Sequence, residues 1–540
     1  MKVLAVTEKC DPIGHQRDGG ARVIDSLREA LGKSLKIMQF GKTLSHSATW
    51  HFDYPFDHPN RFNRRIHNGP FIARKIKEVE EEFSHILFIH LSMQFDYLGS
   101  NCEVWTFPML LTPSYTASGE HVPPLYLEKE KRALRHSNYI LTPSHMEKKQ
   151  LLETYQVPSE KIRVVPRGIS MAFLNKPKQR VIQQPLNFCS VGSIKPQKNT
   201  LELLTLFEMI TKQMPGACLD IIGPVQDLSY GREVRKIIRE KHLNVSLTEH
   251  LPPHKLFKRL EHAHFHLSTA RCETFGRSIF ETLASGLPNL ILDGKNASKD
   301  FLSHLPYIHY AQSMSELVSA LDKMICQYKH LSQMALEIGT LYEDSFLSRL
   351  LIGTLQNKET IIISDYDGTL YHKEDQAKTE ECIEAFNQYS QKVICSARGI
   401  DDLLREVEEN GIQADWIIGG SGAIVTDGKG ELLWIHPLPP QTKVNLTKLR
   451  PMQYRGQVYQ FSAPASYKTQ HLGLRCETYG ETLYFSEWKA SKLHAALRLL
   501  KHIEWKGNVE VRGDGPYDME LITFFDGTLV NQQQQEKLNV

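Results

Sequence analysis

The chain has 540 residues, with 64 Lys and Arg against 62 Asp and Glu and 41% apolar side chains. Its length exceeds what one hydrophobic core sustains and, at about 150 residues per domain, suggests roughly three units. The near-neutral balance excludes a strongly basic nucleic-acid binder, and the apolar content excludes a disordered chain.

From the first residue onward, β-branched runs at 2–6 ("KVLAV"), 85–90 ("HILFIH"), 138–144 ("NYILTPS") and 162–168 ("IRVVPRG") alternate with amphipathic stretches. That alternation predicts a parallel sheet covered by helices. The polar, proline-containing "NKPKQRVIQQP" at 175–185 reads as a boundary, after which the cycle restarts. Candidate strands follow at 186–193 ("LNFCSVGS"), 218–224 ("CLDIIGP"), 245–251 ("VSLTEHL") and 265–270 ("FHLSTA"). Residues 1–175 and 186–356 are therefore expected to form two Rossmann-like lobes. A helical stretch at about 314–356 leads into "TIIISDYDGTL", an apolar run ending in two aspartates. Such a run fits a buried parallel strand that delivers a site at its carboxyl end, and it opens a third unit at 357–540. The expected fold class is α/β throughout.

Nine cysteines form no C-x-x-C pair, and Cys189, Cys272 and Cys395 lie among apolar or motif residues, which reads as reduced, buried thiols. "MKVLAVTEKCDP" has too short an apolar run for a secretory signal, and no later window approaches the roughly 18 apolar residues of a membrane span. The expectation is an unanchored cytoplasmic protein with no stable nucleic-acid or membrane partner. "QQQQ" at 532–535 reads as frayed polar surface.

In "CETFGRSIFETLASGLP" at 272–288, Glu273 and Glu281 flank a loop that enters a helix, whose free N–H groups suit a phosphate. An amphipathic helix with surface acids is the plainer alternative. The stretch resembles the E-x7-E motif of retaining GT-B glycosyltransferases, and other family features follow in order across nearly all of 1–356. "DGGAR" at 18–22, with Gly19 and Gly20, resembles their N-terminal glycine loop, and "VGSIKPQKN" at 191–199 their phosphate-binding loop. The resemblance implies a nucleotide-sugar donor. Glu273 would touch its sugar hydroxyls, Glu281 its ribose, and Lys198 with the amides near Gly276 its diphosphate. Ser193 stands where the family usually has Arg, so either Lys195 or Arg277 supplies the missing charge or donor binding is unusual.

The basic run 61–77 carries Arg61, Arg64, Arg65, Arg74, Lys75 and Lys77 without an acid. It is either a seat for a phosphorylated sugar or polyol acceptor, with Arg64 and Arg65 as candidates, or a solvated helix face. His90 closes a strand and is either an acceptor contact or a structural histidine. The region 110–134 loosely resembles sucrose-phosphate synthases.

Asp365 and Asp367 in "DYDGTL" share one strand face, and two such carboxylates call for a bridging cation, naturally Mg²⁺. "VICSARG" at 393–399 adds Ser396, "SKLHAAL" at 491–497 adds Lys492, and "VRGDGPYDMELI" at 511–522 adds Asp514 and Asp518. In this order they resemble the four motifs of haloacid dehalogenase (HAD) phosphatases over 357–540. The resemblance implies Asp365 as nucleophile, Asp367 as acid and then base, and Ser396 with Lys492 on the phosphoryl oxygens. It further implies Mg²⁺ held by Asp365, the carbonyl of Asp367 and Asp514, with Asp518 in support. Leu493 and Tyr517 depart from the usual Gly and Asn, which leaves Lys489 as an alternative to Lys492. A second "DGTL" at 526–529 has Phe524 in the nucleophile position and reads as coincidence. Alternating strands within about 405–486 suggest an inserted α+β cap, as in sugar-phosphate phosphatases of this group.

Overall fold

The computed structural model describes residues 1–8, 19–41, 47–99, 101–170, 173, 180–249, 251–302, 305–339, 341–356, 358–438, 449–466, 474–479, 481–487 and 489–530. The chain divides into two compact units, Met1–Ser348 and Arg349–Val540.

The first unit opens with seven strands: β1 (Val3–Thr7), β2 (Leu35–Phe40), β3 (Trp50–Phe52), β4 (His85–Ile89), β5 (Glu103–Phe107), β6 (Tyr139–Thr142) and β7 (Ile162–Val164). They pair in parallel in the order β3-β2-β1-β4-β5-β6-β7. Both faces of the sheet are covered, so the central strands read as unbroken apolar runs: every residue of β1 is buried. The apolar runs predict β1, β4, β6 and β7. The others hide because Lys36 and Gln39 interrupt β2, β3 is a three-residue edge, and Glu103 opens β5.

A second sheet in the same unit uses β8 (Asn187–Val191), β9 (Cys218–Ile222), β10 (Val245–Thr248) and β11 (Phe265–Ser268). After them come the two-residue β12 (Cys272–Glu273), then β13 (Asn289–Leu292), β14 (Lys295–Asn296) and β15 (Ile308–Ala311). Its order is β10-β9-β8-β11-β13-β15, all parallel, with β12 and β14 paired alongside. In each sheet the strand order reverses beside the first strand, between β1 and β4 and between β8 and β11. Open α/β sheets have their crevice at that point.

The second unit has a core sheet of β16 (Thr360–Ser364), β17 (Gln391–Cys395), β18 (Trp416–Gly419), β19 (Ile424–Asp427) and β20 (Leu432–Ile435). A separate antiparallel sheet holds β21 (Arg450–Tyr454), β22 (Gln457–Pro464), β23 (Leu474–Tyr479) and β24 (Thr482–Glu487), after which β25 (Asn508–Gly513) and β26 (Thr528–Leu529) rejoin the core. The orders are β20-β19-β18-β17-β16-β25-β26 and β21-β22-β24-β23. This separate sheet spans 450–487, within a narrower stretch than the 405–486 expected for a cap. The helix Ile400–Glu409 buries Ile400, Leu403 and Val407 in the core, and β18 to β20 extend the core sheet through antiparallel pairing.

Candidate active sites

The loop after β8 and the loop after β11 meet at the second crevice. Lys198 ends the short turn Pro196–Lys198, and its ammonium pairs with the Glu273 carboxylate on β12. Gly276 caps the helix Arg277–Ala284 at φ 82, a left-handed conformation that suits glycine, and Glu281 is buried on that helix. Burial pushes the Lys195 ammonium down to about 8, and the cations of Lys198 and Arg61 act in the same direction. The crevice therefore gathers the cations of Lys195, Lys198 and Arg61 beside the carboxylates of Glu273 and Glu120.

At the first crevice a different cluster forms. Arg65, buried on the helix Arg61–Lys77, places Nε 3.2 Å from Glu8 Oε1 and an Nη 2.9 Å from Glu8 Oε2. Burial alone would raise Glu8, but the charge and hydrogen bonds of Arg65 outweigh it and hold the carboxylate well below its usual range. Tyr54 donates to Glu8 Oε1 at 3.0 Å. His90 adopts φ 84 and accepts at Nδ1 from the Ser92 amide (3.2 Å), with Nε2 3.3 Å from Tyr115 Oη. Burial, reinforced by the Arg65 cation, keeps this ring neutral. Arg64 reaches the His58 carbonyl at 3.4 Å. The basic run is no open patch: Arg61 pairs with Glu120, Lys75 with Glu78 and Lys77 with Glu80. Gly19 and Gly20 begin the helix Gly19–Leu31, while Asp18 of the expected glycine loop lies outside the described residues.

In the second unit the strand order reverses at β16, and three strand ends converge. Asp365 follows β16, Ser396 follows β17, and Asp514 and Asp518 follow β25. Lys492 opens the helix Lys492–His502, which Ser491 caps by accepting from the His494 amide. Buried Lys492 Nζ lies 2.7 Å from Asp365 Oδ1 and 2.5 Å from Asp518 Oδ1. Burial opposes its charge, but the two carboxylates outweigh burial and hold the ammonium well above the usual lysine range. Burial likewise pushes Asp365 up against the pull of Lys492, and burial with the Asp518 charge pushes Asp514 up to about 6. Asp518 Oδ2 accepts from the amides of Asp514 (3.2 Å) and Gly515 (3.1 Å). Arg398 grips Asp367 with two bonds of 2.8 and 2.6 Å and reaches Glu406 at 3.0 Å.

Residues 50–173 match the family glycosyltransferase family 4, residues 173–336 glycosyl transferases group 1, and residues 362–470 haloacid dehalogenase-like hydrolase. The chain joins a GT-B glycosyltransferase to a HAD phosphatase. The structure is similar to sucrose-phosphate synthase from Thermosynechococcus elongatus, with TM-score 0.56 and 17% identity over 66% of this chain and 98% of that one. It is also similar to HepE from Anabaena in complex with UDP and glucose, with TM-score 0.51 and 13% identity over 66% and 99% of the two chains. At these identities the likeness is one of fold. No curated protein matches by sequence.

Within the phosphatase module, Asp365, Asp514 and Asp518 each offer an oxygen within 4.8 Å of the others. Three carboxylates face one ammonium, leaving two negative charges uncompensated, which suits a hard divalent cation such as Mg²⁺. Gly368, at φ +73, lies so close that a Cβ would fall 2.0 Å from Asp514 Oδ2, so its backbone forms a wall of this carboxylate pocket. The Asp367 side chain is outside the cluster and belongs to Arg398. Lys492, rather than Lys489, reaches the carboxylates; the Lys489 amide bonds Glu487. In the second "DGTL", Asp526 is the left-handed C-cap of the helix Met519–Phe525. No helix among the described residues is long and apolar enough to cross a membrane.

Sequence reasoning missed Glu8, Tyr54 and Tyr115 at the first crevice and Glu406 behind Arg398. Glu8 could have been found: a charged residue directly after a strand that is apolar up to its last position, Thr7, marks a carboxyl-end site.

Proposed function

We propose that the glycosyltransferase moves a sugar from a nucleotide-sugar donor onto a phosphorylated sugar or polyol, with retention, and that the phosphatase removes the acceptor's phosphate. The observation that carries this is the presence, in one chain, of the cationic Lys198–Glu273 crevice and the Asp365–Lys492–Asp518 centre. The likeness to a sucrose-phosphate synthase supports a phosphorylated acceptor, and the likeness to a UDP- and glucose-bound enzyme supports the donor class.

In the transfer step, the departing diphosphate gains negative charge as the sugar becomes oxocarbenium-like, so Lys198 leaves Glu273 for the phosphates. Glu273 is then free to accept from the donor sugar's hydroxyls, while Glu281 meets the ribose. Lys195, with its charge already concentrated in the crevice, supplies the cation that Ser193 lacks.

In the hydrolytic step, Asp365 attacks phosphorus, forming an aspartyl-phosphate as the sugar oxygen leaves with a proton from Asp367. Asp367 then takes a proton from water, which attacks phosphorus and restores Asp365. Ser396 and Lys492 hold the phosphoryl oxygens, and Arg398 orients Asp367. A cation held by Asp365, Asp514 and the Asp367 carbonyl, with Asp518 in support, supplies charge neutralisation when bound.

A mass-spectrometric screen of donors and acceptors with wild type and Asp365→Asn, both with Mg²⁺, tests the coupling. The variant should accumulate a phosphorylated glycoside that the wild type converts to the free sugar. Identical products from every active pair would break the link between the modules.

A further inference from the structure

The cap strand β23 is fastened to the phosphatase core residue by residue. Alternation places Arg475, Glu477 and Tyr479 on one face. Arg475 reaches Glu520 at 2.6 Å and the Ala490 carbonyl at 3.4 Å, and Glu477 accepts from Ser421. The third residue on that face behaves differently. The Tyr479 ring lies 5.7 Å from Lys492 Nζ, which itself touches Asp365, yet its buried hydroxyl has no hydrogen-bond partner among the described residues. Buried hydroxyls are normally bonded. The nearby carboxylates are already engaged, Asp518 by Lys492 and two amides and Glu477 by Ser421 and Arg475.

Tyr517, between Asp514 and Asp518 in sequence, accounts for the ring's placement. Its hydroxyl accepts from the Thr478 amide at 2.7 Å, and its ring packs 4.7 Å from that of Tyr479. Tyr484 closes the other side at 5.8 Å. Two aromatic neighbours thus fix the Tyr479 ring beside the Lys492 ammonium, with its buried hydroxyl unsatisfied among the described residues.

We propose that Tyr479 is a substrate-contacting residue of the phosphatase, its hydroxyl donating to a phosphoryl oxygen of the ester held at Asp365 and Lys492, with Tyr517 as its positioning residue. This rests on the phosphatase roles proposed above. It brings a cap residue into the phosphate site itself, so the cap shapes chemistry as well as access.

The test uses full-length Tyr479→Phe and Tyr517→Phe with Mg²⁺, p-nitrophenyl phosphate as substrate and inorganic phosphate as ligand. Loss of one hydrogen bond to a charged oxygen should lower kcat/KM about 10- to 100-fold in Tyr479→Phe and weaken phosphate binding by a similar factor. Tyr517→Phe should show a smaller loss, carried by KM, because the donor remains but is less well held. Unfolding midpoints near that of wild type confirm folded variants. If Tyr479→Phe matches wild type within about twofold in both hydrolysis and phosphate binding, the contact does not exist. If wild type hydrolyses nothing yet Tyr479→Phe weakens phosphate binding, the contact stands and the catalytic roles fall. A wild type that neither hydrolyses nor binds phosphate overturns both.

Discussion

Replacing Arg65 with Met would separate two uses of that side chain, as an acceptor contact and as the partner of a buried acid. The substitution keeps the apolar stem and removes the guanidinium, so Glu8 loses bonds of 3.2 and 2.9 Å and, among the described residues, keeps the Tyr54 hydroxyl at 3.0 Å. Removing one member of a buried ion pair leaves an uncompensated charge and costs about 3–5 kcal/mol. At roughly 2 °C per kcal/mol for a large unit, the unfolding midpoint should fall about 6–10 °C. The pH dependence follows from the direction of the Glu8 shift. Because the folded carboxylate is held below its usual range, the pair's stability is present above the unfolded value of about 4.3 and is lost as pH falls below it. Without Arg65, burial raises Glu8 instead, so the variant's deficit should be largest at pH 8 and narrow toward pH 4.

Thermal unfolding of the full chain as Arg65→Met, Glu8→Gln and the double variant, at pH 5 and pH 8, checks both points. The double variant should recover more than half the loss at pH 8, because no buried charge is left unpaired. A midpoint within about 2 °C of wild type, accompanied by lost transferase activity, would refute the reasoning and make Arg65 an acceptor ligand.

Four further outcomes are expected. Burial pushes Glu130 up to about 7, so its contribution to stability is present below the unfolded value and lost as pH rises through about 7. That amounts to roughly 3 kcal/mol, and Glu130→Gln should flatten the difference in unfolding between pH 5 and pH 8. Gly368→Ala combines a φ of +73 with a Cβ 2.0 Å from Asp514 Oδ2, and should cut p-nitrophenyl phosphate hydrolysis about 100-fold. Chelation of divalent cations should stop phosphate release while leaving nucleoside diphosphate release running, since the acidic cluster found among the described residues lies in the phosphatase; a chelator-insensitive phosphatase would refute the metal assignment. Lys198→Ala should slow sugar transfer at least about 100-fold, measured as nucleoside diphosphate release under saturating donor.

The strands most legible in the sequence are those buried on both faces, where apolar runs continue without alternation; "KVLAV" and "TIIIS" announce β1 and β16. A half-exposed edge such as β3 carries no comparable signal. The cap boundary was obscured because "DWIIGGSGAIVTDGKGELLWIHP" alternates as any antiparallel strands do, and alternation cannot say which sheet they join. Motif residues that belong to one loop, such as Asp365 and Asp367, were readable locally. Lys492, 127 positions from Asp365, was joined to it only through the motif resemblance, and the pairing of Glu8 with Arg65, 57 positions apart, was not legible at all. Only the fold brings such pairs together, and only burial makes them matter.

The two sites have opposite charge patterns. The transferase crevice gathers Lys195, Lys198 and Arg61 against Glu273 and Glu120, an excess of cations that suits anionic leaving groups and a phosphorylated acceptor. The phosphatase centre gathers three carboxylates around one lysine, an excess of anions that repels phosphate until a cation is present. Under the coupling proposed above, a phosphate that aids recognition in the first site would become the group removed in the second, and its hydrolysis would draw a reversible sugar transfer forward. On this view, loss of phosphatase activity should slow net transfer as well as change its product. The Asp365→Asn chain should stall near the equilibrium of the transfer step, and an added, unrelated phosphatase should release it. If that addition leaves the extent of transfer unchanged, the two charge patterns serve separate substrates.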